Sequence, residues 1–495
     1  MTTRFIAVDL GAESGRCVVG TLEGGRLTLD EVHRFTTHTV RFHGGFHWDI
    51  LAIAEEILSG LVKARETHGP DYEGIGVDTW GVDYVLVDRD GRVLGYPYHY
   101  RDDRTDAIMP EAFAIVPKEI LYGKTGIQFM QFNTVFQLLA EKKRSMNLLG
   151  PAGAMLLIPD FFNFMLSGVM KSEYTIASTT GLIDPRERIW SWDLIEKFGI
   201  GRHIFPGIVE PGTILGPILP ELAARTGLNP AIPVIATACH DTASAVASVP
   251  VSGGSWSFLS SGTWSLMGVE LKKPVLSTAS MRHNFTNEGG VDGTIRFLKN
   301  IVGLWPVQEC RRAWKEEKKE FSYPELTALA EEEGFAGAWV DLADPRFLKA
   351  GNMPEKVLTC VRETGGEAKS APGWIIRVVL ESLAFSYRMT VKEIEEVTGL
   401  RIDRLHAVGG GIQNGLLAQL AADATGVTVY AGPVEGTIVG NIGVQAVARG
   451  IVSGCAGWRE IVAGSFEVIA YRPRDTAYFE AGEQRYERIV NRRRT

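Results

Sequence analysis

Cysteine is scarce and scattered in this sequence. Its five cysteines (Cys17, Cys239, Cys310, Cys360, Cys455) form no Cys-x-x-Cys pair and no Cys/His metal pattern. That spacing excludes a zinc site and leaves reduced thiols as the expectation. An excess of positive charge is missing too: 51 Lys+Arg against 59 Asp+Glu give a formal net charge of -8. Nothing here marks a nucleic-acid partner, and the clearest basic cluster, Arg492-Arg493-Arg494, reads as a solvated tail. Long apolar runs are absent. The best stretch, 155–166, contains Pro159, Asp160 and Asn163 and falls short of the ~20 residues of a membrane helix. The N-terminus runs into a short apolar stretch without a charged leader or cleavage site, so export and a membrane partner are not expected. A soluble, cytoplasmic protein is.

Two common phosphate fingerprints also fail. Gly123-Lys124-Thr125 ends like a P-loop, but Lys118 stands where the first glycine is required. Gly409-Gly410-Gly411 continues as Ile412-Gln413-Asn414 and breaks the GxGxxG pattern.

What is present is an alternation of strand-like and helix-like segments, which indicates an α/β protein. At 495 residues, 45% of them hydrophobic, the chain is too long for one core, and two domains, 1–246 and 247–495, are expected. Their openings are alike. Residues 5–9, a small-residue turn at 11–15 and residues 17–22 read as strand, turn and strand; 256–259, Ser260-Ser261-Gly262-Thr263 and 264–269 repeat the pattern. Residues 50–62 place Ile50, Ile53, Ala54, Ile57, Leu58 and Leu61 at helical spacing after the cap candidate Asp49, and Gly69-Pro70 ends the helix. A long helix over 374–397 stops at Gly399. Residues 315–372, a charge run followed by Pro324, Pro345 and Pro354, read as an irregular insertion.

Several segments carry possible chemistry. The loop from Asp9 to Arg16 has glycines that let successive backbone N–H groups turn towards an anion, and 260–263 offers the same in the second half. Each alone is also what an ordinary hairpin turn looks like. Val408 to Asn414 lies between a strand and a helix, where ligands bind in open sheets, and a tight turn needs one glycine rather than three. Asp241, in Cys239-His240-Asp241-Thr242, sits where a strand meets a helix start. The helix dipole favours the ionised form there, as a general base requires; the bland reading is a helix cap. Asp78-Thr79-Trp80-Gly81-Val82-Asp83 mixes carboxylates, an indole and a glycine, the mixture that binds polyols, although Trp80 alone reads as core.

On Asp9-Leu-Gly-Ala-Glu-Ser-Gly-Arg16, Asp78-Thr-Trp-Gly-Val-Asp83, Tyr100-Arg-Asp-Asp-Arg-Thr105, His240-Asp-Thr-Ala-Ser-Ala245, Leu259-Ser-Ser-Gly-Thr-Trp-Ser-Leu-Met-Gly268, Lys299-Asn-Ile-Val-Gly-Leu-Trp305 and Val408-Gly-Gly-Gly-Ile-Gln-Asn414, the sequence resembles the FGGY carbohydrate kinases over most of its length. The resemblance implies two actin-like (ribonuclease-H-like) domains flanking a catalytic cleft, an N-terminal one holding sugar and a C-terminal one holding nucleotide. It implies Asp241 as proton acceptor, sugar contacts at Gly81, His240, Asp241, Thr242 and Asn300, and ATP contacts at Ala12, Glu13, Ser14, Gly15, Arg16, Thr263, Gln308 and Gly410. Asp9 would serve the Mg2+ of the nucleotide through water. The implied reaction joins a ketose, L-rhamnulose, and ATP to give the sugar 1-phosphate and ADP. Glu13 departs from the small hydroxyl residue familiar in relatives. L-Fuculose or another ketose remains an alternative substrate, and a non-catalytic actin-like ATPase an alternative class.

Overall fold

In a computed structural model, which describes residues 2–144 and 147–492, strand Thr3–Leu10 is apolar on both faces because it is covered on both. Ile6, Val8 and Leu10 pack with Ile53, Ile57 and Leu61 of helix Ile50–His68. Phe5 and Ala7, pointing the other way as strand geometry dictates, pack with Ile438, Val439 and Ile442 of helix Gly436–Ala448. The sheet order is 213–217, 233–236, 75–79, 3–10, 14–23, 26–36. Strands 3–10, 14–23 and 26–36 form an antiparallel meander, whereas 75–79 runs parallel to 3–10, and 233–236 parallel to 75–79. The expected helix forms: Asp49 accepts from Ala52 N at 3.1 Å, a cap worth about 1 kcal/mol. Gly69, at φ 87°, ends it. Helix Gly436–Ala448 also lies on the short helix Asp241–Ala247, so closely that a Cβ on Gly440 would fall 1.7 Å from the Ser244 carbonyl oxygen.

These elements form one unit, Met1–Ser252 with Glu270–Phe297 and Gly436–Phe466; the other comprises Gly253–Val269, Leu298–Glu435 and Glu467–Thr495. The second repeats the plan. Strands Trp256–Ser261 and Trp264–Leu271 pair antiparallel, Arg404–Val408 and Thr428–Ala431 continue the sheet in parallel, and Ile469–Tyr471 closes it antiparallel. Helix Pro372–Thr398 is buried along most of its length and stops at Gly399 in the left-handed conformation.

The expectation of an irregular insertion over 315–372 needs correction. It holds helices Tyr323–Glu332, Pro345–Leu348 and Met353–Glu363. Pro324, Pro345 and Pro354 stand in their first turns, where a missing N–H costs nothing, so prolines that look like breaks are starts. Of the basic tail, Arg493 and Arg494 lie outside the described residues. Among the described residues no helix is long and apolar enough to cross a membrane, and the five cysteines are unpaired.

Candidate active site

In the first unit, strand pairing fixes which side chains meet. Asp9 is opposite Asp78 across the parallel pair, and Thr79 bridges to His240. Asp9, Asp78, His240 and Asp241 therefore gather at the C-terminal ends of parallel strands, where open sheets bind ligands. The Asp9 carboxylate lies 2.5 Å from Arg16 Nη2. Asp78 is fully buried; its Oδ2 accepts from Asn441 Nδ2 at 2.5 Å and its Oδ1 has no hydrogen-bond partner. Burial first, and then the charge of Asp9, hold its pKa well above the usual carboxylate range.

The cap reading of Asp241 does not hold: His240 occupies the cap position, and Asp241 is the first helical residue. Its Oδ1 accepts from Thr242 Oγ1 at 3.0 Å, and the side chain keeps 33% of its surface open. Burial raises its pKa, the neighbouring His240 opposes the rise, and Asp9 adds to it. A more basic carboxylate with an open face is what proton abstraction from a hydroxyl requires. Gly81 completes this corner. A Cβ there would lie 3.4 Å from His240 Nε2 and 3.2 Å from the Thr179 methyl, filling space beside the His240 ring.

The polar cluster 78–83 divides in two. Asp83 and Trp80 face inward: Asp83 Oδ2 accepts from Trp48 Nε1 (2.7 Å), Trp80 Nε1 (3.1 Å) and Tyr100 N (3.1 Å), and Oδ1 accepts from Gln137 Nε2 (2.8 Å). A carboxylate with four internal donors has nothing left for a sugar hydroxyl. It is the hub that fixes Trp48, whose ring is tilted against Trp80 and stacked on His99, while Gly81 and Val82 stay half-buried.

In the loop before strand Ser14–Glu23, Thr37 Oγ1 donates to Gly11 O at 2.7 Å and Thr37 N to Glu13 O at 3.1 Å, while Glu13 itself is exposed and Ala12, Ser14 and Arg16 are half-buried. Gly15 is glycine for packing: a Cβ would strike the Phe35 ring at 2.3 Å.

The remaining candidates belong to the second unit. Gln308 Nε2 donates to Thr263 Oγ1 at 3.2 Å, and Asn300 is half-buried on strand Ile295–Val302. The three consecutive glycines are not equivalent. Cβ atoms on Gly409 and Gly411 would meet the Ser261 carbonyl oxygen at 2.8 Å, and one on Gly411 also Ser261 Oγ at 2.3 Å, whereas around Gly410 nothing lies within 4 Å. Packing explains the outer two, leaving Gly410 as the glycine with a free approach to its backbone.

Sequence reasoning missed Glu288 and Arg296, which touch His240. Arg296 is fully buried, and its signal was an arginine inside the apolar run Ile295, Phe297, Leu298.

Known proteins match this chain over nearly its whole length. Residues 4–248 match the N-terminal domain, and 258–449 the C-terminal domain, of the FGGY family of carbohydrate kinases. A rhamnulokinase of Bacteroides thetaiotaomicron is 40% identical over 490 residues, covering 99% of this chain and 100% of that one. One of Oceanobacillus iheyensis is 42% identical over 466 residues, 94% and 97%. Among solved structures, gluconate kinase from Lactobacillus acidophilus superposes with a TM-score of 0.82 at 14% identity, covering 100% of this chain and 98% of its own. Plasmodium falciparum glycerol kinase with ADP gives 0.79 at 17%, covering 99% and 98%. At those identities the superpositions speak for the fold alone, the two-domain actin-like fold expected from the motifs. The chain belongs to the FGGY family of carbohydrate kinases.

Proposed function

We propose that this kinase transfers the terminal phosphoryl group of ATP to the 1-hydroxyl of L-rhamnulose, with Asp241 as the proton acceptor. The observation that carries the reading is Asp241 itself: a carboxylate of raised basicity, one third open, placed beside His240 rather than spent on capping its helix. Phosphoryl transfer asks little covalent work of a protein, so positioning and charge compensation do most of it. Asp241 orients the sugar hydroxyl and takes its proton as the new P–O bond forms. Gly81 leaves room for the sugar backbone, and His240, Thr242 and Asn300 hydrogen-bond its hydroxyls.

The N-terminal half, 1–246, holds most of the sugar and the C-terminal half, 247–495, most of the nucleotide. Backbone N–H groups of Ala12, Glu13, Ser14 and Gly15, with the Arg16 guanidinium, compensate phosphate charge; the Glu13 side chain points away. Thr263, Gln308 and Gly410 contact ATP. Among the described residues no cluster of three or more His, Cys, Asp or Glu is arranged to hold a metal. Asp9, whose side chain keeps 12% of its surface open, nevertheless offers a hard oxygen donor that suits Mg2+ arriving with its nucleotide. When bound, the ion neutralises charge on the β- and γ-phosphates.

The test is ADP release with MgATP and L-rhamnulose, L-fuculose, L-xylulose, glycerol or no sugar, with Asp241→Asn as control. Preference for L-rhamnulose that vanishes in the variant supports the reading. Preference for another ketose replaces the substrate, and sugar-independent turnover surviving in the variant refutes the assignment of a kinase base.

A further inference from the structure

Buried arginines are costly to desolvate, and one in an apolar strand needs a reason. Arg296 has a specific set of partners. Its Nε donates to Gly289 O at 2.8 Å, and its Nη2 lies 3.0 Å from His240 Nδ1 and 3.1 Å from Glu288 Oε2. Glu288 Oε2 is also 3.2 Å from His240 Nδ1, yet it makes no hydrogen bond. The carboxylate thus neutralises the guanidinium, while the directed bond to the imidazole comes from the arginine. A guanidinium can only donate. The Nδ1 lone pair must therefore receive that bond, and in the neutral ring the proton sits on Nε2.

That nitrogen faces the candidate site. Nε2 lies 3.5 Å from Asp241 Oδ1 and 3.4 Å from where a Cβ on Gly81 would stand. The ring cannot turn away easily: it is buried, and the His240 backbone N–H is held by Thr175 Oγ1 at 3.1 Å. Carrying a proton, Nε2 donates to a sugar oxygen. Bare, it would compete with Asp241 for the hydroxyl proton.

We propose that Arg296, without touching the sugar, is the positioning residue that fixes the Nε2–H tautomer of His240 and so divides the labour: His240 donates and Asp241 accepts. The consequence for turnover rests on the sugar-kinase reading above; the tautomer does not.

The experiment is a 15N–1H long-range correlation spectrum of histidine-labelled protein at mildly alkaline pH, without sugar or nucleotide, with His240 assigned by the signal that His240→Gln removes. Nε2 is expected to be protonated and Nδ1 bare. The variant Arg296→Leu, which leaves the Glu288 carboxylate 3.2 Å from Nδ1 as the acceptor there, is expected to show protonated Nδ1. It should also raise the KM for the accepted sugar about tenfold, the worth of one good hydrogen bond, with the KM for ATP unchanged. Protonated Nδ1 in the wild type, or an unchanged Nε2–H tautomer in Arg296→Leu, overturns the proposal. Equal losses for sugar and ATP would overturn the assigned donor role. Absence of sugar-dependent turnover in wild-type protein would instead defeat the functional reading and leave the spectrum to stand.

Discussion

Replacing Gly440 by alanine should cripple both stability and turnover, although the residue touches no substrate. The added Cβ would stand 1.7 Å from the Ser244 carbonyl oxygen, 2.4 Å from its carbon and 3.0 Å from its Cα. A carbon approaches a carbonyl oxygen no closer than about 3.3 Å, so the gap is short by about 1.6 Å. Because every atom in the way is backbone, no side chain can swing aside. Helix Gly436–Ala448 must lift from helix Asp241–Ala247, or the shorter helix must move. Overpacking of a tight core costs ~1–3 kcal/mol, and a backbone clash belongs at the upper end. At about 2–4 °C per kcal/mol, the melting temperature should fall by about 6–12 °C. The shorter helix begins with Asp241, and any share of the displacement it takes up reaches a reacting group, where about 1 Å costs on the order of a hundredfold in rate. Thermal unfolding and sugar-dependent ADP release read the two effects. Gly464→Ala is the control: it lies in helix Gly454–Ser465 with nothing within 4 Å of a built Cβ, and the better helix former should stabilise by about 1 kcal/mol. Gly440→Ala with unchanged melting temperature and kcat would refute the packing argument.

Asp241→Asn should lower kcat by about 10²–10⁴ and leave sugar affinity nearly intact, read by steady-state kinetics against equilibrium binding. Because Asp241 must be ionised to accept a proton and its pKa is raised, kcat/KM should be full at neutral pH and fall on acidification through a value above the ordinary ~3.9 of aspartate; a pH–rate profile locates the limb. Gly410→Ala should leave the urea midpoint unchanged and raise the KM for ATP, whereas Gly411→Ala, meeting Ser261 Oγ at 2.3 Å, should lower the midpoint. Asp83→Leu strands four donors, from Trp48, Trp80, Tyr100 and Gln137, and should cost at least about 3 kcal/mol in urea unfolding.

These tests separate what a linear sequence can express from what it cannot. Helix Ile50–His68 was legible because its cap, apolar stripe and terminating glycine all lie within one stretch of chain, and Asp241 because a strand meets a helix start there. The helices of 315–372 were misread because proline marks a first turn as readily as a break; the capping box of Ser322 with Glu325 marks the first of them as a start, and the Asp344 cap the second. Trp80 and Asp83 sit in a motif shared with sugar binding, yet their direction depends on Trp48 and Gln137, which lie 35 and 54 residues from Asp83. The same limit hides Arg296, 56 residues from His240. Its position in the strand shows only that a charge is buried; what the charge does depends on the imidazole it meets. A motif names the groups that can act, and contacts between distant segments decide which way each one points. Residues such as Gly440 and Arg296 therefore govern Asp241 and His240 without belonging to any motif that contains them.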